Sequence, residues 1–171
     1  MKSFKGQAAL EFMMTYGWAI LVVLAAIGAL SYFGILNPAK FTPDTCLASS
    51  GFACPGKPIV ASGAVGASDA SVIFSIVNGL GYKVTVDTSL MTLASGLTSC
   101  TVKNICPQGT PSCVATTADI EDGAGVTFNL SGCNFDTLNV VKGEAKQPYL
   151  NPQSQLLETL TISVTGKAKS S

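Results

Sequence analysis

Six cysteines, Cys46, Cys54, Cys100, Cys106, Cys113 and Cys133, are the side chains of this sequence best able to do covalent chemistry. An even number in a short, exported-looking stretch reads as a disulfide framework, and the spacing alone leaves every pairing open. The competing chemistry is a thiolate metal site. Such a site usually brings two ligands together in a Cys-x-x-Cys knuckle, whereas the closest cysteines here have five, six and seven residues between them. Disulfides are therefore expected, and no metal or other cofactor is.

The chain has neither histidine nor arginine. Without histidine, a Ser/His/Asp or Cys/His catalytic arrangement cannot be assembled, and the commonest metal ligand is missing. Ten lysines balance ten acidic residues and are scattered along the chain, which argues against a nucleic-acid partner. A carboxylate enzyme would need a convergent Asp or Glu pair, and none stands at motif spacing. Asp119, Glu121 and Asp122 precede Gly123 and invite comparison with a calcium loop. They lack the later bidentate Glu of such a loop, and Asp122-Gly123 reads as a solvated hairpin turn. Gly79-x-Gly81 is too short for a nucleotide fingerprint and is also read as a turn. Asn129-Leu130-Ser131 is a glycosylation sequon, so Asn129 is a candidate for a surface-facing glycan. The expectation is a protein that is not an enzyme.

Glu11 is the charge in the most unusual place. It heads 28 consecutive residues without a formal charge, Phe12 to Ala39, more than the roughly 20 that cross a bilayer as a helix. A carboxylate there is expensive in lipid and calls for a partner, or for an interfacial position where it complements the helix dipole. Lys2 and Lys5 precede the segment and the cysteines follow it, so the N-terminus is expected inside and the bulk of the chain outside. An ordinary secretory signal has a shorter apolar region. Ala25, Ala26, Gly28, Ala29 and Ser31 suit close helix packing, with Ala25-x-x-x-Ala29 on one face. Tyr16 and Trp18 near one end, and Tyr32 and Phe33 near the other, are placed like interfacial aromatic belts before Asn37-Pro38 ends the helix. An ordinary single-span anchor would share these features.

The stretch Lys5-Gly6-Gln7-Ala8-Ala9-Leu10-Glu11-Phe12 resembles the class III signal peptide of archaeal type IV pilins, whose usual pattern is Gln-x-Ser-x-Glu-Phe after Lys-Gly. Ala9 stands where the family commonly has Ser. The following Met14-Thr15-Tyr16-Gly17-Trp18-Ala19-Ile20-Leu21 is similar to the helix start of archaeal pilin-like proteins. The resemblance covers residues 1–36 and does not reach the remainder. It implies cleavage between Gly6 and Gln7 by a prepilin peptidase on the cytoplasmic side. It also implies that Gln7 becomes the N-terminus and that Glu11 faces the free amino group of a neighbouring subunit.

Beyond Pro38 the chain to Pro58 carries Pro, Gly, Ser and two cysteines without periodicity and reads as a linker. Strand-like alternation follows: Val72, Phe74 and Ile76, a turn at Asn78-Gly79-Leu80-Gly81, then Tyr82, Val84 and Val86, together a β-hairpin candidate. Further strands are expected around residues 90–93, 101–105, 126–130, 138–141 and 156–165. In the last, Leu160, Ile162 and Val164 face a core while Thr159, Thr161, Ser163 and Thr165 face outward. The fold class is α+β: a long hydrophobic N-terminal helix, then a small antiparallel β-sandwich head stapled by disulfides. The expected organisation is a signal peptide over residues 1–6, a transmembrane and filament-core helix over 7–36, a linker over 37–58 and an extracellular head over 59–171.

The resemblance implies a structural subunit of an archaeal type IV pilus-like filament, held in the membrane with its N-terminus inside and then assembled at the cell surface. Its partners would be the prepilin peptidase, the membrane, other pilin subunits and a surface or cell–cell ligand of the head. The alternatives are a minor pilin or single-span anchored binding module, an archaellin, against which six cysteines count, and an exported carboxylate enzyme.

Overall fold

The computed structural model describes residues 4–34, 41–63, 68–107, 113, 116–135 and 140–170. The chain divides into two compact units, Met1–Phe41 and Thr42–Ser171. The first is a single helix, α1 (Phe4–Tyr32). It starts three residues before the expected Gln7 and ends four before the expected Leu36. Its stop is local: Phe33 N–H bonds Ala29 O, Gly34 N–H bonds Ser31 O, and Gly34 takes φ +66°. A left-handed glycine just past the last turn closes a helix because only glycine enters that region without a Cβ penalty. Asn37-Pro38, expected to end the helix, lies outside the described residues.

The second unit is a β-sandwich of two six-stranded sheets. Its strands are β1 (Thr45–Ala48), β2 (Phe52–Ala53), β3 (Ile59–Ser62), β4 (Ala70–Asn78), β5 (Val84–Asp87), β6 (Thr92–Ser95), β7 (Val102–Pro107), β8 (Thr117–Ile120), β9 (Gly125–Cys133), β10 (Val140–Leu150), β11 (Leu157–Lys167) and β12 (Lys169–Ser170). One sheet runs β1-β11-β10-β5-β8, with β6 also on β10. The other runs β12-β3-β4-β9-β7, with β2 also on β4. All pairings are antiparallel except β12 with β3. The expected antiparallel, disulfide-stapled head is present.

The core lies between the sheets, and period-two alternation fills it. Along β4 every second residue is buried, so Val72, Phe74 and Ile76 face Val126, Phe128 and Leu130 of β9 and the opposite sheet's Leu160, Ile162 and Val164. The Phe74 and Phe128 rings stack with centroids 5.4 Å apart, and Phe52 meets Tyr149 edge-on at 5.3 Å.

Two expectations are corrected here. The segment taken as a linker from 37 to 58 belongs to the head from Thr42 on. β1 pairs with the last long strand, Thr45 opposite Thr165, and β2 pairs with the end of β4. Its Pro, Gly and Ser content masked two short strands whose backbone groups need sheet partners.

The second correction concerns β4 and β5, which do not form a hairpin: they lie in different sheets. The same holds for β8 and β9, so Asp122-Gly123 is no hairpin turn. Both connections cross between sheets at one corner.

Asn78, fully buried, organises that corner. Its Nδ2 donates to Tyr82 O at 2.7 Å and to Ile120 O at 3.0 Å, while its Oδ1 accepts from Leu80 N at 3.0 Å. Its backbone N–H donates to Ala124 O, and its carbonyl accepts from Gly123 N. One side chain thus ties both crossings together and satisfies the buried polar groups that each exposes.

The bridges are Cys46–Cys54, Cys100–Cys133 and Cys106–Cys113. Cys46–Cys54 joins the β1 sheet to the chain just after β2, and so staples one sheet to the other. Chain-entropy arguments make the longest loop the most stabilising. The 33-residue separation of Cys100 and Cys133 predicts a contribution of about 3–4 kcal/mol, against about 2.5 kcal/mol for each bridge across separations of 7 and 8. Replacing both cysteines of one pair at a time with alanine should therefore lower the head's melting temperature most for Cys100/Cys133. An equal loss from all three pairs would contradict that order.

A titrating cluster sits at the end of β10. The Tyr149 hydroxyl donates to Glu158 Oε2 at 2.6 Å, and Asn151 Nδ2 donates to Glu158 Oε1 at 2.7 Å. Burial, then the bond to Glu158, pushes the Tyr149 hydroxyl above the ordinary tyrosine range. The Tyr149 hydroxyl, then the Asn151 amide, holds the Glu158 carboxyl below its ordinary value. A lowered carboxylate contributes stability that is lost as pH falls through its folded value, and a raised tyrosine contributes stability that is lost as pH rises past the ordinary one. Tyr149→Phe should therefore flatten both the alkaline loss above about pH 10 and part of the acid loss below about pH 5. Thermal melts across pH check this. Asp87 and Asp119, also lowered, keep part of the acid limb in the variant.

Candidate functional site

The helix α1 is the feature that no packing among the described residues of its own unit explains. Leu10–Tyr32, 23 residues, is long and apolar enough to cross a membrane, a property it shares with N-terminal signal sequences. At 1.5 Å per residue it spans about 35 Å. Apolar side chains cover its whole circumference: Leu10, Phe12, Met13, Tyr16, Trp18, Ile20, Leu21, Val22, Val23 and Leu24 are all more than half exposed. A helix apolar on all sides belongs in lipid or among other helices.

Glu11 is exposed and carries the only formal charge between Leu10 and Tyr32. Thr15 Oγ1 donates to its backbone carbonyl at 2.7 Å, and the Phe12 and Tyr16 rings lie 4.7 Å apart on an adjoining stripe. At 100° per residue, Glu11 shares a face with Thr15, Trp18, Val22, Ala25 and Ala29, while Phe12, Tyr16, Ile20, Val23, Ile27 and Leu30 line another. The carboxylate thus stands on the face richer in small side chains. Gly17 and Gly28 have open space where a Cβ would stand. Mid-helix glycine costs about 1 kcal/mol relative to alanine, and no described residue of the helix's own unit crowds either position.

The expected processing residues Gly6 and Gln7 fall in the first turn of α1. The first N–H groups of any helix lack intrahelical partners, so the backbone of this turn is the least tied by helical bonds. The six cysteine candidates are all bridged. Asn129 lies in the central strand β9, between Ile73 of β4 and Asn104 of β7, on the sheet's outer face. It is half-buried and its Oδ1 is shielded without a hydrogen-bond partner. A glycan on it would rise from a strand, where the sequon gave no hint of secondary structure.

The acidic run is engaged in structure. Lys83 Nζ lies 2.7 Å from Asp119 and 3.7 Å from Glu121, and Asp122 Oδ1 accepts from Gly81 N at 2.9 Å. These groups brace the two crossings at the Asn78 corner.

One surface feature went unread in the sequence. The β10–β11 hairpin tip is built around Asn151, whose Oδ1 accepts from Gln153 N and Ser154 N while its backbone N–H donates to Leu156 O. This leaves Leu150, Leu156 and Leu157 exposed together at 49%, 65% and 70%. Leu150 and Leu157 face each other across the strands. Leucines flanking a polar turn look like strand residues in a sequence, so only the turn's closure shows them to be outward. No protein-family model matches this chain, and no curated protein does either.

Proposed function

We propose that this chain is a structural subunit of a type IV pilus-like surface filament, as its N-terminal resemblance implies. A membrane-inserted precursor is cut between Gly6 and Gln7, and the apolar helix then packs with its copies into a filament core. The observation that carries the reading is α1: apolar on every side, punctuated by one carboxylate, and bearing two glycines that no described residue of its own unit crowds. Small side chains on the Glu11 face allow helices to approach closely, and a neighbour's free amino terminus would give the carboxylate its partner. The bridged head suits the oxidising exterior. Fractionation tests the reading. Shearing the surface of expressing cells should release this chain in sedimentable filaments, and recovery solely in membranes would overturn it.

A second reading has one observation in its favour. A minor, membrane-retained subunit whose head binds a partner would account for three leucines held exposed by a braced turn. Replacing Leu156 and Leu157 with serine should then leave melting unchanged while removing that surface.

A further inference from the structure

We infer that Asn78-Gly79 is a deamidation site which folding closes and unfolding opens, so that a head once unfolded for long cannot return. This rests on the head alone and is independent of the filament reading. Asn78-Gly79 is the only Asn-Gly pair in the sequence, and Asp122-Gly123 the only Asp-Gly pair. The fold brings both to the same corner. The chemistry is generic to such a pair: the Gly79 backbone nitrogen attacks Asn78 Cγ, a C–N bond forms, the Cγ–Nδ2 bond breaks and ammonia leaves with the amide proton. Water then opens the cyclic imide at either carbonyl, giving aspartate or isoaspartate, and the ammonia takes up the proton the new acid releases, so the net change is amide plus water to carboxylate plus ammonium. Glycine favours the attack because it has no side chain to crowd the nitrogen and moves freely in an unfolded chain.

Every group this reaction needs is tied up in the folded head. The attacking Gly79 N–H donates to Gly51 O at 2.8 Å. The departing Asn78 Nδ2 donates to Tyr82 O and Ile120 O, and Oδ1 accepts from Leu80 N, which fixes the side chain against rotation towards its own backbone. Asn78 is fully buried, away from the water that opens the imide. Gly123 N–H is likewise bonded, to Asn78 O at 2.7 Å, so the Asp-Gly pair is guarded by the same residue. The product does not fit. A carboxylate at position 78 would place acceptor oxygens against the carbonyls of Tyr82 and Ile120 and bury an unpaired charge. Isoaspartate would add a backbone atom where Phe52 is in register with Asn78.

The test keeps the full chain in detergent micelles at mildly alkaline pH, in one arm native and in the other unfolded in guanidinium chloride with disulfides intact. Peptide mapping reads the deamidation mass gain at Asn78 over time. Conversion is expected in the unfolded arm, and in the native arm it should be slower on the order of 1,000-fold or more, the factor set by the rarely populated open state. On removal of denaturant, protease-resistant refolded protein should be depleted of converted chains. Equal rates in the two arms, no conversion in the unfolded arm, or equal refolding of converted and unconverted chains would each overturn the inference.

Discussion

Asn78→Ala should destabilise the head by about 4–5 kcal/mol, because it strips two carbonyl acceptors and one N–H donor of their partner at once, each orphaned buried group costing about 1–3 kcal/mol. For a head of this size that corresponds to a fall of roughly 15 °C in melting temperature. The loss comes from three bonds that hold both inter-sheet crossings. Asn78→Asp should be at least as damaging, since it keeps the shape but loses the two donors and adds a charge. Thermal melts and denaturant titrations measure both. A loss no larger than that of Thr85→Ala, which removes only an exposed bond to Asp119, would mean that the backbone bonds at Ala124 and Gly123 suffice to hold the corner.

Glu11→Ala should abolish filaments while leaving the head's melting temperature unchanged. On the filament reading each subunit loses the partner of a neighbour's amino terminus, and breaking one desolvated pair costs about 3–5 kcal/mol. That cost recurs at every subunit added, so even a modest loss per contact removes the polymer. Glu11→Gln keeps size and hydrogen bonding and should still fail, which separates charge from shape. The checks are sheared-filament yield and membrane abundance measured side by side. Filaments at wild-type yield with both variants would leave Glu11 as a headgroup-level anion complementing the helix dipole.

How much was legible depended on whether burial showed in side-chain type. α1 was visible because its uncharged apolar run is far longer than a strand, and among the described residues it ends at Tyr32, with Gly34 left-handed just beyond. β11 was visible because Leu160, Ile162 and Val164 alternate cleanly with Thr and Ser. β10, paired with β11 along its whole length, was largely invisible beyond Val141. Its inward positions include Gly143, Ala145 and Gln147, small or polar for specific reasons. A Cβ on Gly143 would stand 2.5 Å from Leu97 Cγ, and Gln147 Nε2 donates to Asp87 O where β10 passes from β6 to β5. Such a strand lacks the apolar period that betrays others.

The Asn78 corner failed for a different reason. Asn-Gly between apolar alternations is the strongest short hairpin signal, and the local chemistry of a turn is indeed present. Which sheet the next strand joins is decided by pairings far along the chain, Val84 with Ile120 and Ile76 with Val126. Cysteine connectivity was closed to sequence for the same reason. Two of the three bridges join neighbours in the sequence, but nothing in the spacing distinguished them from the other pairings. Gly6 and Gln7 were assigned from motif resemblance alone, whereas Glu11 also stood out physically, as a carboxylate at the head of an uncharged run.

The most direct measurement of the central claim is the N-terminal sequence and non-reducing intact mass of this chain taken from sheared surface filaments. The account predicts material beginning at Gln7, retaining the whole apolar helix, with a mass that reflects three closed disulfides. Filament material beginning at Met1, or beginning downstream of Tyr32 so that no apolar helix remains to form a core, would contradict it.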